Sequence, residues 1–102
     1  MNLTENTKDR LKYEIIQNLK LEKEINKIII FGSFLVSKNP NDIDVAIFQD
    51  SEESYLSLAM KYRRLTRKIA KRIPIDIIPI KSNASNNSFL SEIEAGEIIY
   101  ER

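Results

Sequence analysis

Three aspartates and a glycine–serine pair are the residues here whose types and spacing could do chemistry: Asp42, Asp44 and Asp76, with Gly32-Ser33. Histidine and cysteine are absent, which excludes disulfides, thiolate or imidazole metal sites, and any imidazole proton relay. Chemistry must run on carboxylates, hydroxyls, lysine or arginine. Asp42 and Asp44 open an apolar run that continues Val45-Ala46-Ile47-Phe48. In a strand, residues two apart share a face, so the two carboxylates point together while Ile43, Val45 and Ile47 point away. Asp76 is flanked by Ile75 and Ile77 in a second β-branched run. If those strands are neighbours, three carboxylates converge with an apolar sheet behind them. Like charges so close in a poorly solvated place are costly unless a cation neutralises them. All-oxygen donors without His or Cys suit Mg2+ or Mn2+. Taken singly, each aspartate also reads as a strand-end or turn residue in water. That reading is strongest for Asp42, which follows Asn39-Pro40-Asn41.

Gly32-Ser33 ends an apolar strand, and as a bare dipeptide it is a turn. As a binding element, the glycine lets backbone N–H groups approach a phosphate and the serine hydroxyl donates to it. The turn of helix after it would add a favourable dipole. Joined to a carboxylate cluster nine residues on, the pair reads as a grip on a metal-bound nucleoside triphosphate. It is not a Walker A loop, because no Gly-Lys-Ser/Thr follows.

Periodicity supplies the elements that must position these groups. Leu11, Ile15 and Leu19 recur every four residues, predicting an amphipathic helix over about 7–24 with Thr4 or Thr7 as cap. Lys27 to Phe31 reads as a buried strand, Phe34-Leu35-Val36 as one helical turn, and Asp42 to Phe48 as a second strand. Asp50-Ser51-Glu52-Glu53 resembles a capping box ahead of a long helix reaching Arg72. Tyr55, Leu58, Tyr62, Leu65 and Ile69 form its apolar stripe, and Pro74 stops it. Ile75 to Ile80 is a third strand whose Pro79 belongs at a sheet edge. A polar loop over 81–87, a short helix from Ser88 to Ala95 with Gly96 as its left-handed cap, and a last strand over 97–100 follow. The order gives a small α/β or α+β fold, a mixed β-sheet with helices packed on it.

At 102 residues the expectation is a single domain spanning 1–102, with an adequate core. A net charge of +1 points neither toward nor away from a polyanionic partner. The polar start Met1-Asn2-Leu3-Thr4-Glu5 carries no export signal, and no run approaches the ~20 apolar residues of a membrane span. A cytoplasmic protein that avoids membranes is therefore expected.

Gly32-Ser33, then Asp42-x-Asp44, then Asp76 on a later strand resembles the minimal nucleotidyltransferases of the DNA polymerase beta superfamily. The likeness runs from the leading helix to the segment Ala95-Gly96-Glu97-Ile98-Ile99-Tyr100-Glu101. It departs from the family at Val36-Ser37, where a second glycine is common, and at Asn41, where many members have serine. The resemblance implies the nucleotidyltransferase fold and a two-metal transfer of a nucleoside monophosphate from a triphosphate to a hydroxyl. On that pattern Asp42 and Asp44 hold the metals, and Asp76 joins them and helps to activate the acceptor. Gly32 and Ser33 hold the terminal phosphates. Family members of this size commonly work with a small helical partner called HEPN, some of them as antitoxins that adenylylate a tyrosine of the partner. The implied activity is Mg2+-dependent transfer of AMP from ATP to such a partner. Transfer to a small-molecule hydroxyl such as an aminoglycoside, with a homo-oligomer forming the acceptor pocket, is the alternative within the enzyme class. A non-catalytic nucleotide- or partner-binding module is the alternative outside it.

The predicted long helix carries seven cations within twelve residues: Lys61, Arg63, Arg64, Arg67, Lys68, Lys71 and Arg72. They read as a solvated face near a helix C-terminus, or as a surface for an anionic partner or for phosphates. No aromatic residues interleave with them on that face, which speaks against nucleic acid.

Overall fold

The computed structural model describes residues 2–84 and 88–102. Its elements run α1 (Glu5–Leu19), β1 (Ile25–Phe31), α2 (Ser33–Val36), β2 (Ile43–Gln49), α3 (Tyr55–Leu65), α4 (Arg67–Ala70), β3 (Ile75–Lys81), α5 (Ser88–Glu94) and β4 (Glu97–Glu101). The four strands form one mixed sheet in the order β3-β2-β1-β4. β1 pairs antiparallel with β2 and β4, and β2 pairs parallel with β3. A parallel pair needs a crossover, and α3 with α4 supplies it.

Alternation along the strands sends side chains to two covered faces. Ile28, Ile30, Ile43, Val45, Ile47 and Ile77 pack with Leu11, Ile15 and Leu19 of α1, Leu58 and Tyr62 of α3, and Ile69 of α4. Ile29, Phe31, Ala46 and Phe48 face the other way and pack with Leu90 and Ile93 of α5. This two-sided burial explains why β1 and β2 read as nearly continuous apolar runs. Asp44 and Asp76 share the α5 face by the same period. Pro79 lies on β3, an edge strand as expected.

Several boundaries differ from the sequence expectation. α1 begins earlier, because Thr4 is its cap and accepts from the Thr7 N–H at 3.1 Å. It ends at Leu19, and turns closed by Leu19 and Glu22 carbonyls lead into β1. The expected capping box does not form. Ser54 caps α3 instead, accepting from the Ser57 N–H, while Asp50 accepts from the Asn26 amide. The long helix to Arg72 is broken at Thr66, a buried residue with φ −106° and ψ 14°. Its hydroxyl donates to the Tyr62 carbonyl at 2.9 Å, beside its own N–H at 3.1 Å, a back-bond of the kind that bends helices. Tyr55, expected in the apolar stripe, is exposed.

Gly96 is not a left-handed cap: Gly32 carries the only positive φ of a glycine among the described residues. Gly96 is needed for close approach, since a Cβ there would run into the Ile30 carbonyl and lie 2.8 Å from Phe31 Cβ. The expected loop over 81–87 falls partly outside the described residues; Lys81 closes β3 and Ser82-Asn83 turn away from it.

The cations of the α3–α4 stretch are not equivalent. Lys61 is drawn into a network with Glu24 at 2.9 Å, Glu22 at 3.2 Å and Glu53 at 3.5 Å. The Tyr62 hydroxyl donates to Glu24 at 2.7 Å beside it. Arg72 pairs with Glu14 at 2.8 Å. No helix among the described residues is long and apolar enough to cross a membrane.

Candidate active site

Parallel pairing sets Asp44 directly beside Asp76, in a register that runs from Ile43↔Ile75 to Gln49↔Lys81. The Ile43 N–H donates to the Pro74 carbonyl at 2.9 Å and fixes the starts of both strands. Asp42 stands one residue before β2. One carboxylate oxygen from each of Asp42, Asp44 and Asp76 lies within 4.8 Å of the others. Asp42 and Asp44 are half-buried and Asp76 is exposed. The sequence expected these three to meet if the strands were neighbours, and the sheet brings them together.

Among the described residues no lysine or arginine forms an ion pair with any of the three. Their mutual repulsion is therefore uncompensated. Burial first, then the charge of Asp42 and the adjacent Asp76 carboxyl, together raise the Asp44 carboxyl from 3.8 to about 6. Three clustered oxygens with no nitrogen or sulfur donor are a set that a hard divalent cation fits.

Gly32 ends β1 with φ 81° and ψ −158°, a conformation that is essentially glycine's alone. A Cβ at this position would sit 2.5 Å from Asp44 Oδ2. The glycine thus does two things: it turns the chain, and it leaves room for the central carboxylate. Ser33 follows as the first residue of α2 and is exposed. The Leu35 and Ser37 N–H groups donate to the Gly32 and Ser33 carbonyls at 3.2 and 2.8 Å, closing the turn. At the position where a second glycine was expected, Val36 is exposed and Ser37 is extended. No tight backbone turn is therefore required there.

Sequence reasoning gave Phe31 no role beyond closing a buried strand. It pairs with Asp44 across β1 and β2, and its ring meets that of Phe89 edge-on at 6.1 Å. Its place just before Gly32-Ser33 was the available signal. A cavity of about 320 Å3, lined by Asn26, Lys27, Phe48 and Arg102 among others, lies toward the opposite end of the sheet and contains none of the aspartates.

Comparison with known proteins agrees with this geometry. The comparison with curated protein sequences found no match. Among solved structures, a chain of a Shewanella oneidensis complex of tri-AMPylated HEPN toxin with MNT antitoxin superposes with a TM-score of 0.64 at 17% identity, covering 93% of this chain and 73% of that one. A chain of the toxin–antitoxin complex MntA–HepT gives 0.61 at 16% identity, covering 92% and 73%. A toxin–antitoxin structure with AMP-PNP gives 0.63 at 18%, covering 89% and 73%. At these identities the likeness establishes a shared fold. The family described as polymerase beta, nucleotidyltransferase, matches residues 13–102, nearly the whole chain and every residue of the candidate site. The chain belongs to the polymerase beta nucleotidyltransferase family.

Proposed function

We propose that the chain transfers AMP from ATP to a tyrosine hydroxyl of a HEPN-type partner, in a Mg2+-dependent reaction, and so acts as the antitoxin of a pair. The observation that carries this is the convergence of Asp42, Asp44 and Asp76 against Gly32. The fold neighbours support a partner protein as acceptor, since one is a complex of tri-AMPylated HEPN toxin with MNT antitoxin and another is the toxin–antitoxin MntA–HepT. The neighbour with AMP-PNP supports an adenine nucleotide as donor.

Asp42 and Asp44 would hold divalent metal, with Asp76 completing the set. Bound metal would supply charge neutralisation at the phosphates and make the acceptor oxygen a better nucleophile. Gly32 presents backbone, and Ser33 its hydroxyl, to the terminal phosphates. The acceptor oxygen attacks the α-phosphorus, the bond from that phosphorus to the bridging oxygen breaks, and pyrophosphate departs with the bonding pair. The exposed carboxylate of Asp76 is placed to accept the acceptor's proton. Positioning and charge carry the catalysis, so no histidine is required.

The test mixes the protein with a HEPN partner, Mg2+ and ATP labelled at the α-phosphate. Label is expected on the partner and absent with Asp44→Ala. Transfer that persists in this variant would overturn the assignment.

A further inference from the structure

Helix α1 buries one lysine. Lys8 is only 3% exposed, on a helix whose other buried residues are Leu11, Ile15 and Leu19. Its Nζ donates to the Ser37 carbonyl at 2.6 Å and lies 5.4 Å from the centre of the Phe34 ring. Both partners belong to the turn after Gly32: Phe34 follows Ser33, and Ser37 caps α2. The Leu3 N–H donates to the Lys38 carbonyl at 2.8 Å, so the chain just before α1 grips the same loop.

A surface lysine ordinarily lays its stem on apolar groups and keeps its ammonium in water. Here the head is buried as well, which is costly for an ion without a counter-charge. Among the described residues no carboxylate pairs with Lys8; the ion pairs of α1 are made by Asp9, Lys12 and Glu14. A carbonyl and a ring face neutralise an ammonium only in part.

We propose that Lys8 is a positioning residue for the polyphosphate of the nucleotide: its buried ammonium holds the Gly32–Ser37 turn from behind, and phosphate bound on that turn supplies the missing counter-charge. This rests on the reading that Gly32 and Ser33 hold the triphosphate. Lys8 acts by the charge it holds under the turn, anchored there by the Ser37 carbonyl and the Phe34 ring, and does not touch the nucleotide. Its effect falls on phosphate binding, while the acceptor and the proton transfer at Asp76 are untouched.

The test titrates Mg2+·ATP and Mg2+·AMP into wild type, Lys8→Met and Lys8→Gln, with transfer kinetics alongside. Gln retains a donor for Ser37 without the charge, and Met retains only the stem. Both variants are expected to bind ATP about tenfold more weakly, the order that loss of one interacting charge delivers in a partly buried site. AMP, lacking the terminal phosphates, should bind as before; KM for ATP should rise with kcat within about twofold. Unchanged ATP affinity, an equal loss for AMP, or full recovery with Gln would overturn the proposal, the last by reducing Lys8 to a hydrogen-bonded pin. If Lys8→Met fails to fold, Lys8→Gln decides, together with amide exchange of the wild type. ATP, but not AMP, should slow exchange at Leu3 and Ser37, and no slowing counts against the proposal. Wild type that binds no ATP at all overturns the proposed function as well, whereas normal wild-type binding with unaffected variants overturns this inference alone.

Discussion

The titration of Asp44 should be visible in the stability of the metal-free protein. Its carboxyl is raised from 3.8 to about 6, by burial first and then by Asp42 and Asp76. Between those values the folded chain keeps a proton that the unfolded chain has released. Stability therefore falls as pH rises through this window, and the penalty is complete above about pH 6. At about 1.36 kcal/mol per pKa unit the displacement is worth about 3 kcal/mol. Asp44 is only half-buried, and solvent screening reduces this to about 1 kcal/mol. Glu24 and Glu53 are held below the usual range and contribute with the opposite sign, so a raw stability curve mixes the two. Comparison with Asp44→Asn isolates the aspartate, because both proteins share Glu24 and Glu53. Urea unfolding in EDTA should find the two equally stable near about pH 4, and Asp44→Asn ahead by about 1 kcal/mol near about pH 7.5. Mg2+ should then stabilise wild type far more than Asp44→Asn, since ligand bound to the folded state alone adds to its stability. A difference that does not change with pH, or Mg2+ stabilising both proteins equally, would refute the reasoning.

The two glycines make contrasting predictions. Gly32→Ala forces a side chain into φ 81° and against Asp44 Oδ2, which should cost about 1–3 kcal/mol and abolish Mg2+-dependent stabilisation; a melt with and without Mg2+ checks both. Gly96→Ala meets Ile30 and Phe31 in the sheet, so denaturant unfolding should show a loss of about 1–3 kcal/mol with the Mg2+ affinity of the folded protein retained.

The helices and strands were legible wherever one period dominated. The four-residue repeat of Leu11, Ile15 and Leu19 gave α1, and the alternation of Ile28, Ile29, Ile30 and Phe31 onto two faces makes β1 apolar throughout. Boundaries were lost where a side chain chose a local hydrogen bond. Ser54, not Asp50, caps α3, and the long helix breaks at Thr66, whose hydroxyl bonds back to the Tyr62 carbonyl. Gly96 misled for a related reason: a glycine after a helix suggests a left-handed cap, and only the packed sheet shows that space is what it provides.

For the site, sequence by itself determined the chemistry of the donors. Without histidine or cysteine, carboxylates were the only concentrated ligands, and the two-residue period put Asp42 and Asp44 on one face. Tertiary structure decided which carboxylates meet. The α3–α4 crossover lays β3 parallel to β2, and that register, not any spacing along the chain, sets Asp76 beside Asp44. It also decided why Gly32 must be glycine, since the constraint is Asp44 Oδ2, twelve residues away in sequence. The burial of Lys8 was equally hidden, because a lone lysine on an amphipathic helix reads as solvent-facing until the turn after Gly32 folds over it. Period and composition act over neighbouring residues, whereas repulsion, close approach and desolvation depend on distances that only the folded chain sets.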